Sequence, residues 1–213
     1  MVSSNIPSDT VGAVKHTANN DNSFTQLSRN INTTSKSMVI NKNYKYSSKD
    51  KNTGIVINKN NYVIDGKGHT IDADGKARIF DITGKNVVLK NMVLTNSNHY
   101  SGTAIYINPK SSVTTINVTF KNCNARGQGV VYSEAATYTS NNDKFLDCKS
   151  NNEGIITSYA SNINIKNAYM KSKQKLSKGF ISSTDSSSIT VTDSTFRDTS
   201  SKYSTAIFAD NEL

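Results

Sequence analysis

Residues 129–182 read GVVYSEAATYTSNNDKFLDCKSNNEGIITSYASNINIKNAYMKSKQKLSKGFIS, and the same short phrase returns three times in this stretch. Gly129-Val130-Val131-Tyr132, Gly154-Ile155-Ile156-Thr157 and Gly179-Phe180-Ile181-Ser182 each follow the last by 25 residues. Working outward, the series extends back to Ala104-Ile105-Tyr106-Ile107, Arg78-Ile79-Phe80-Asp81 and Gly54-Ile55-Val56-Ile57, and forward to Ala206-Ile207-Phe208-Ala209. Aligned by their first residues, the clusters step by 24, 26, 25, 25, 25 and 27. A fixed period of this length marks a solenoid built from one repeated unit.

Two further series keep the same step. One runs Ile71, Leu94, Phe120, Phe145, Met170 and Phe196. The other runs Ile64, Leu89, Thr115, Ser140, Ile165 and Val191, and is interrupted by two polar members. Each period therefore holds three short strand signals bounded by Asn, Asp, Ser or Gly. Three strands per turn describe a triangular coil. No single coil can bury its apolar face alone, but stacked coils bury a continuous column. At about 4.8 Å per coil, six to seven coils make a rod of about 30 Å. The expected fold is all-β: a right-handed parallel β-helix, with regular coils over 54–213. Its handedness is inferred from the coil length.

An open solenoid end exposes core and strand edges, so it needs a cap. In NSFTQLSRNI, residues 22–31, the apolar Phe24, Leu27 and Ile31 fall at helical spacing behind Ser23, a good N-cap. A short capping helix over 22–31 is expected to open the β-helix domain of 22–213, preceded by a flexible arm over 1–21. At the other end the sequence stops just after the first strand of a new coil. The expectation there is a piece of a longer protein.

Composition is polar, with 35% hydrophobic residues, no Trp and a net charge of +9. Clustered Val, Ile, Phe and Tyr argue for many short strands and against disorder. The positive charge suits an anionic partner, although dispersed lysines also keep strand edges from pairing. Lys171, Lys173, Lys175 and Lys178 form the most basic stretch, in KSKQKLSK. No run of apolar residues is long enough to span a membrane, and membrane insertion is not expected.

FTQLSRNINTTSKSMVINKNYKY (24–46) and TGIVINKNNYVIDGKGHTIDADGKARIFDITGKNVVLKNMVLTNS (53–97) resemble the N-terminal region of adhesin-like surface proteins of methanogenic archaea. VIDGKGHTIDADGKARIFDI (63–82) is the most specific block. Coils ending in TFKNCNA (119–125) and KFLDCKS (144–150) look like repeats of the polymorphic outer-membrane-protein type. The resemblance covers about residues 22–213. It implies an extracellular or cell-surface β-helix with adhesion as its role.

Parallel β-helices also carry polysaccharide lyases and hydrolases, so fold alone does not decide function. A glycosidase needs two carboxylates facing each other across a sugar. Asp65, Asp72 and Asp74 sit in DGKG and DADG turns, where Asp normally bonds its own backbone. Asp81 is the remaining early candidate. Arg78 takes the small-residue place in its cluster and is expected to face solvent. His16, His69 and His99 have no ligand spacing, so neither a metal nor another cofactor is expected.

The expectation is thus a binding module without catalysis, with a lyase or hydrolase and a structural stalk as the alternatives. Its partners would be a glycan, a wall polymer or a surface protein rather than nucleic acid. Candidate ligand residues are Lys171, Lys173, Lys175 and Lys178, with Tyr100, Tyr138, Tyr159 and Tyr203 read as exposed rings that stack on sugars. Cys123 and Cys148, 25 residues apart, should stack in adjacent coils, either as a disulfide or as buried thiols. Asn32 and Asn117 match the N-glycosylation pattern.

Overall fold

The structure, a computed structural model, describes residues 21–197 and 200–210. The arm expected over 1–21 lies, apart from Asp21, outside the described residues. The rest is a parallel β-solenoid of about seven turns with about 25 residues per coil and one helix.

Three faces run the length of the solenoid, and short ladders of Asn98–Ser101, Asn124–Gln128 and Lys149–Ser150, and of Lys175–Leu176 and Ser200–Ser201, add a fourth side in the middle and later coils. The first is a seven-stranded parallel sheet of Ile55–Ile57, Phe80–Ile82, Ile105–Ile107, Val131–Glu134, Ile156–Tyr159, Ile181–Thr184 and Ile207–Ala209. The second stacks Met38, Ile64, Leu89, Thr115, Ser140, Ile165 and Val191 in register. The third stacks Tyr44, Ile71, Leu94, Phe120, Phe145, Met170 and Phe196. Both later apolar series therefore stack in register as their spacing implies. Each ladder is regular because side chains alternate in and out along a strand, leaving one or two inward positions per face.

The corner between the second and third faces explains the Asn-rich composition. Asn91, Asn117, Asn142, Asn167 and Asp193 occupy it with φ of 52–56°. Asn and Asp tolerate this left-handed backbone better than other non-glycine residues. Their side chains also stack: Asn117 Nδ2 donates to Asn91 Oδ1 (3.1 Å), and Asn91 Nδ2 to Asp65 Oδ1 (3.1 Å). The Asp65 and Asp72 carboxylates accept the backbone N–H of Lys67 and Asp74, two residues on. These are turn roles.

Helix α1, Phe24–Thr33, closes the N-terminal end and buries Phe24, Leu27 and Ile31. Ser23 Oγ accepts from Gln26 N at 3.1 Å. The first coil reaches back to hold both helix ends. Buried Asp50 accepts from Phe24 N and Thr25 N at 3.2 and 2.9 Å. Lys59 Nζ donates to the carbonyl of Ile31 (2.7 Å) and to that of Thr34. An anion at the N-terminus and a cation at the C-terminus both oppose the helix dipole.

Two expectations need correction. The register pairs Ile55 with Phe80 and Phe80 with Ile105, so Arg78 sits one position before the place its cluster suggested. It is also not solvent-facing: Arg78 is only 8% exposed. Tyr138, read as an exposed ring, is 0% exposed. It alternates inward with Ser140, and its hydroxyl meets Thr115 Oγ1 at 2.9 Å inside the solenoid.

Candidate functional site

Outward positions on the first face fall in register as Val56, Asp81, Tyr106, Tyr132, Thr157, Ser182 and Phe208. Along one side of this floor stand Gln128, at the end of the strand Asn124–Gln128, and Glu153 and Lys178, in the loops entering their strands. They are 25 residues apart, each just before a glycine. Those glycines keep the loop close to the sheet. A Cβ at Gly154 would stand 2.5 Å from Ser182 N, and Gly129 and Gly179 have φ of 61° and 81°. The corner after the strands supplies Tyr159, Thr184 and Asp185. With Tyr132, Thr157 and Asp210 these residues line a lateral cleft of about 290 Å³.

The cleft is acidic in a basic chain. Glu153, Asp185 and Asp210 line it, and its single cation, Lys178, is held at 2.7 Å by Glu153 Oε1. The other Glu153 oxygen is buried with no hydrogen-bond partner. Lys178 Nζ also stands 4.9 Å from the centroid of the Phe208 ring, which packs 6.1 Å from Tyr203. Burial, then the nearby Glu134, pushes the Tyr132 hydroxyl up to about 12. The Asp185 carboxylate holds the Tyr159 hydroxyl above the usual tyrosine range. Both phenols keep their protons at neutral pH.

One coil further back, a polar cluster is built for support. Arg78 donates to the carbonyls of Ser101 and Gly102 at 2.8 and 3.2 Å, and to His99 Nδ1 at 3.1 Å. Its guanidinium lies 4.6 Å from the Tyr106 ring centroid, and Asp81 is 3.4 Å away. Burial, then the Arg78 charge, holds His99 below the usual imidazole range, so it serves as a neutral acceptor. Tyr106 donates to Glu134 Oε2, whose carboxylate is thereby occupied. The cluster pins the segment at 97–104, which holds the strand Asn98–Ser101, against the first face.

A different side of the rod is cationic. On the third face the outward positions of the later coils carry Lys121, Lys144, Lys171 and Arg197, in register with Leu146 and Tyr169. The corner beyond adds Lys149, Lys173, Lys175 and Lys202. Among the described residues, the carboxylates bordering this side are Asp147, which accepts from Lys173 N at 3.2 Å, and Asp193 at the opposite corner. Among the described residues Lys144, Lys173, Lys175 and Lys202 form no ion pair.

The predicted ligand residues therefore separate. Lys171, Lys173 and Lys175 lie on the cationic side, Lys175 within a two-residue strand whose Leu176 is buried. Lys178 and Tyr159, 42% exposed, belong to the cleft. Tyr203, 58% exposed, adjoins it through Phe208, while Tyr100, 57% exposed, packs over Gly127. A Cβ on Gly127 would meet that ring at 2.8 Å. Gln128, Glu153 and Tyr132 were missed, although the 25-residue step from Gln128 to Glu153 and on to Lys178 was a signal that finds the first two. Of the two readings for the cysteines, Cys123 and Cys148 are free buried thiols. Their Sγ atoms lie 3.5–3.6 Å from backbone carbonyl oxygens. Asn32 and Asn117 are both exposed, at the end of α1 and at a corner.

No protein-family model matches the chain, and no curated protein or solved structure matches it at a significant level. Among the described residues no group of three or more His, Cys, Asp or Glu converges as a metal site, and no helix is long and apolar enough to cross a membrane.

Proposed function

We propose that this chain is a non-catalytic, adhesin-like binding module of an extracellular protein, which holds an anionic glycan or wall polymer on its cationic side. The observation that carries this reading is the lysine side of the last coils, where Lys121, Lys171 and Arg197 share one outward column, Lys144 stands in the next, and the carboxylates among the described residues lie at the corners. A polymer with charges along its length meets such a surface as a series of contacts. Each exposed pair contributes about 1 kcal/mol or less, so strength comes from repetition. The resemblance to adhesin-like surface proteins agrees with this role.

The test is binding of polygalacturonate to the whole chain over a salt series, with product analysis. Binding should weaken steeply with salt, because exposed charges are screened over about 8–10 Å at 0.1–0.15 M. The combined substitutions Lys144→Gln, Lys173→Gln, Lys175→Gln and Lys202→Gln should weaken it at least tenfold. Salt-independent binding, or none, overturns the proposal. New reducing ends or unsaturated products overturn the non-catalytic part and make the chain a hydrolase or lyase.

A further inference from the structure

We infer that the lateral cleft between Tyr132 and Tyr159 is a second binding site, separate from the cationic side, and that it takes an amino sugar: a hydroxyl-rich ring carrying a primary ammonium group.

Charge comes first. Glu153, Asp185 and Asp210 line the cleft against the single cation Lys178, which is already paired with Glu153. An excess of negative charge here runs against a chain of net charge +9. An anionic glycan would meet like charge at short range, and a neutral one would leave the excess unanswered. A ligand ammonium answers it.

Hydrogen bonding agrees. Glu153 uses Oε1 for Lys178, while its buried Oε2 lacks any donor. Leaving a buried acceptor unpaired is unfavourable, so Glu153 is a carboxylate of this cleft with hydrogen-bonding capacity left over. The Tyr159 ring is a flat apolar wall beside these carboxylates, suited both to the C–H face of a sugar and to a nearby cation.

Size and lining choose between the two common carriers of an ammonium group. A lysine side chain of a protein would seek an apolar channel for its four-carbon stem. This cleft instead offers Gln128 and Thr184, partners for ring hydroxyls. Its volume of about 290 Å³ lies at the lower end for small-molecule sites, which suits a ring or two and not a length of peptide.

The experiment is an NMR titration of the whole chain with a glucosamine trimer, its fully N-acetylated counterpart and a short lysine peptide. The glucosamine trimer should shift the resonances of Thr157 and Tyr159, and Tyr159→Ala should weaken it at least tenfold. The double substitution Asp185→Asn with Asp210→Asn should do the same, and Asn tolerates the left-handed backbone of residue 185 (φ 45°). The double variant should leave polygalacturonate binding intact or stronger, which separates loss of this site from failure of the cationic side. Acetylated and free trimers binding equally, a preference for the lysine peptide, or no shift at tens of millimolar would each overturn the assignment.

Discussion

The first coils and the last coils share one frame and differ in what fills it. On the first face, Ile57, Ile82 and Ile107 stack inward in the early coils, and the same column continues as Ser133, Ser158 and Ser183. On the second face Leu89 gives way to Thr115 and Ser140. All of these residues, apolar or hydroxyl, are buried. The early coils are stabilised by aliphatic burial, at about 25 cal/mol per Å² of apolar surface.

The later coils tie hydroxyls together instead. Ser133 Oγ donates to Ser161 Oγ (3.1 Å), which donates on to the Tyr159 carbonyl (2.8 Å). One coil on, Ser158 Oγ donates to Ser187 Oγ and Ser187 Oγ to the Thr184 carbonyl, at 2.8 and 2.9 Å. Asp143 accepts from Thr115 Oγ1, Ser140 Oγ and Val118 N at 2.5, 2.6 and 2.8 Å. The comparison teaches that the backbone ladder and the left-handed corners specify the coil. Core chemistry can change along the rod as long as buried polar groups find partners.

Transplanting one region's chemistry into the other breaks the comparison most sharply. Ile82→Ser places a hydroxyl in a column that offers it no partner, and removes buried methyl groups. It should destabilise the fold by about 3–5 kcal/mol, read as a fall in the urea midpoint.

A smaller effect belongs to Asp143. Burial, partly offset by its hydroxyl and amide donors, pushes its carboxyl up to about 6. The folded chain therefore keeps this proton up to about pH 6, whereas the unfolded chain loses it near pH 4. Stability should fall as pH rises from about 4 to 6 and then level off, by about 2–3 kcal/mol. In Asp143→Asn that slope should vanish, since an amide can still accept from Val118 N and donate to the hydroxyls. Urea midpoints across pH check this.

Ser161→Ala removes the shared acceptor of Ser133 Oγ and Ala136 N, and should cost about 1–2 kcal/mol. Least affected should be Ser158→Ala, at about 1 kcal/mol or less, because Ser187 Oγ keeps its other bonds to the Thr184 carbonyl and the Ser161 amide. Equal losses for these two serines would refute the ordered hydroxyl chain.

Much of this frame was legible in the sequence, for a physical reason. A 25-residue period places chemically similar residues above one another, so inward columns appear as spaced apolar series. Arg78 escaped because Ile79 and Phe80 are both buried, which hides where the strand begins. Tyr138 escaped because its inward neighbour is Ser140, and a buried hydroxyl imitates an exposed one in a hydropathy pattern. The cleft was harder still. Its members come from loop, strand and corner, and only Gln128, Glu153 and Lys178 carry the period visibly. Their types change from amide to acid to base, so no composition signal marks them.

The strand ladders also decide how such a rod meets force. Backbone hydrogen bonds between parallel coils run along the rod axis, so tension between its ends loads them in series and opens one coil boundary before the next. A detached coil of 25 residues lengthens from a rise of about 4.8 Å to about 80–90 Å of extended chain. A rod pulled at its ends would thus yield in discrete steps, each dissipating energy. Among the described residues, the N-terminal end is held by Lys42 Nζ and Lys45 N on the carbonyls of Asp21 and Asn22, then by Asp50 and Lys59 on helix α1, so a load entering from that side meets this small cap before any coil boundary.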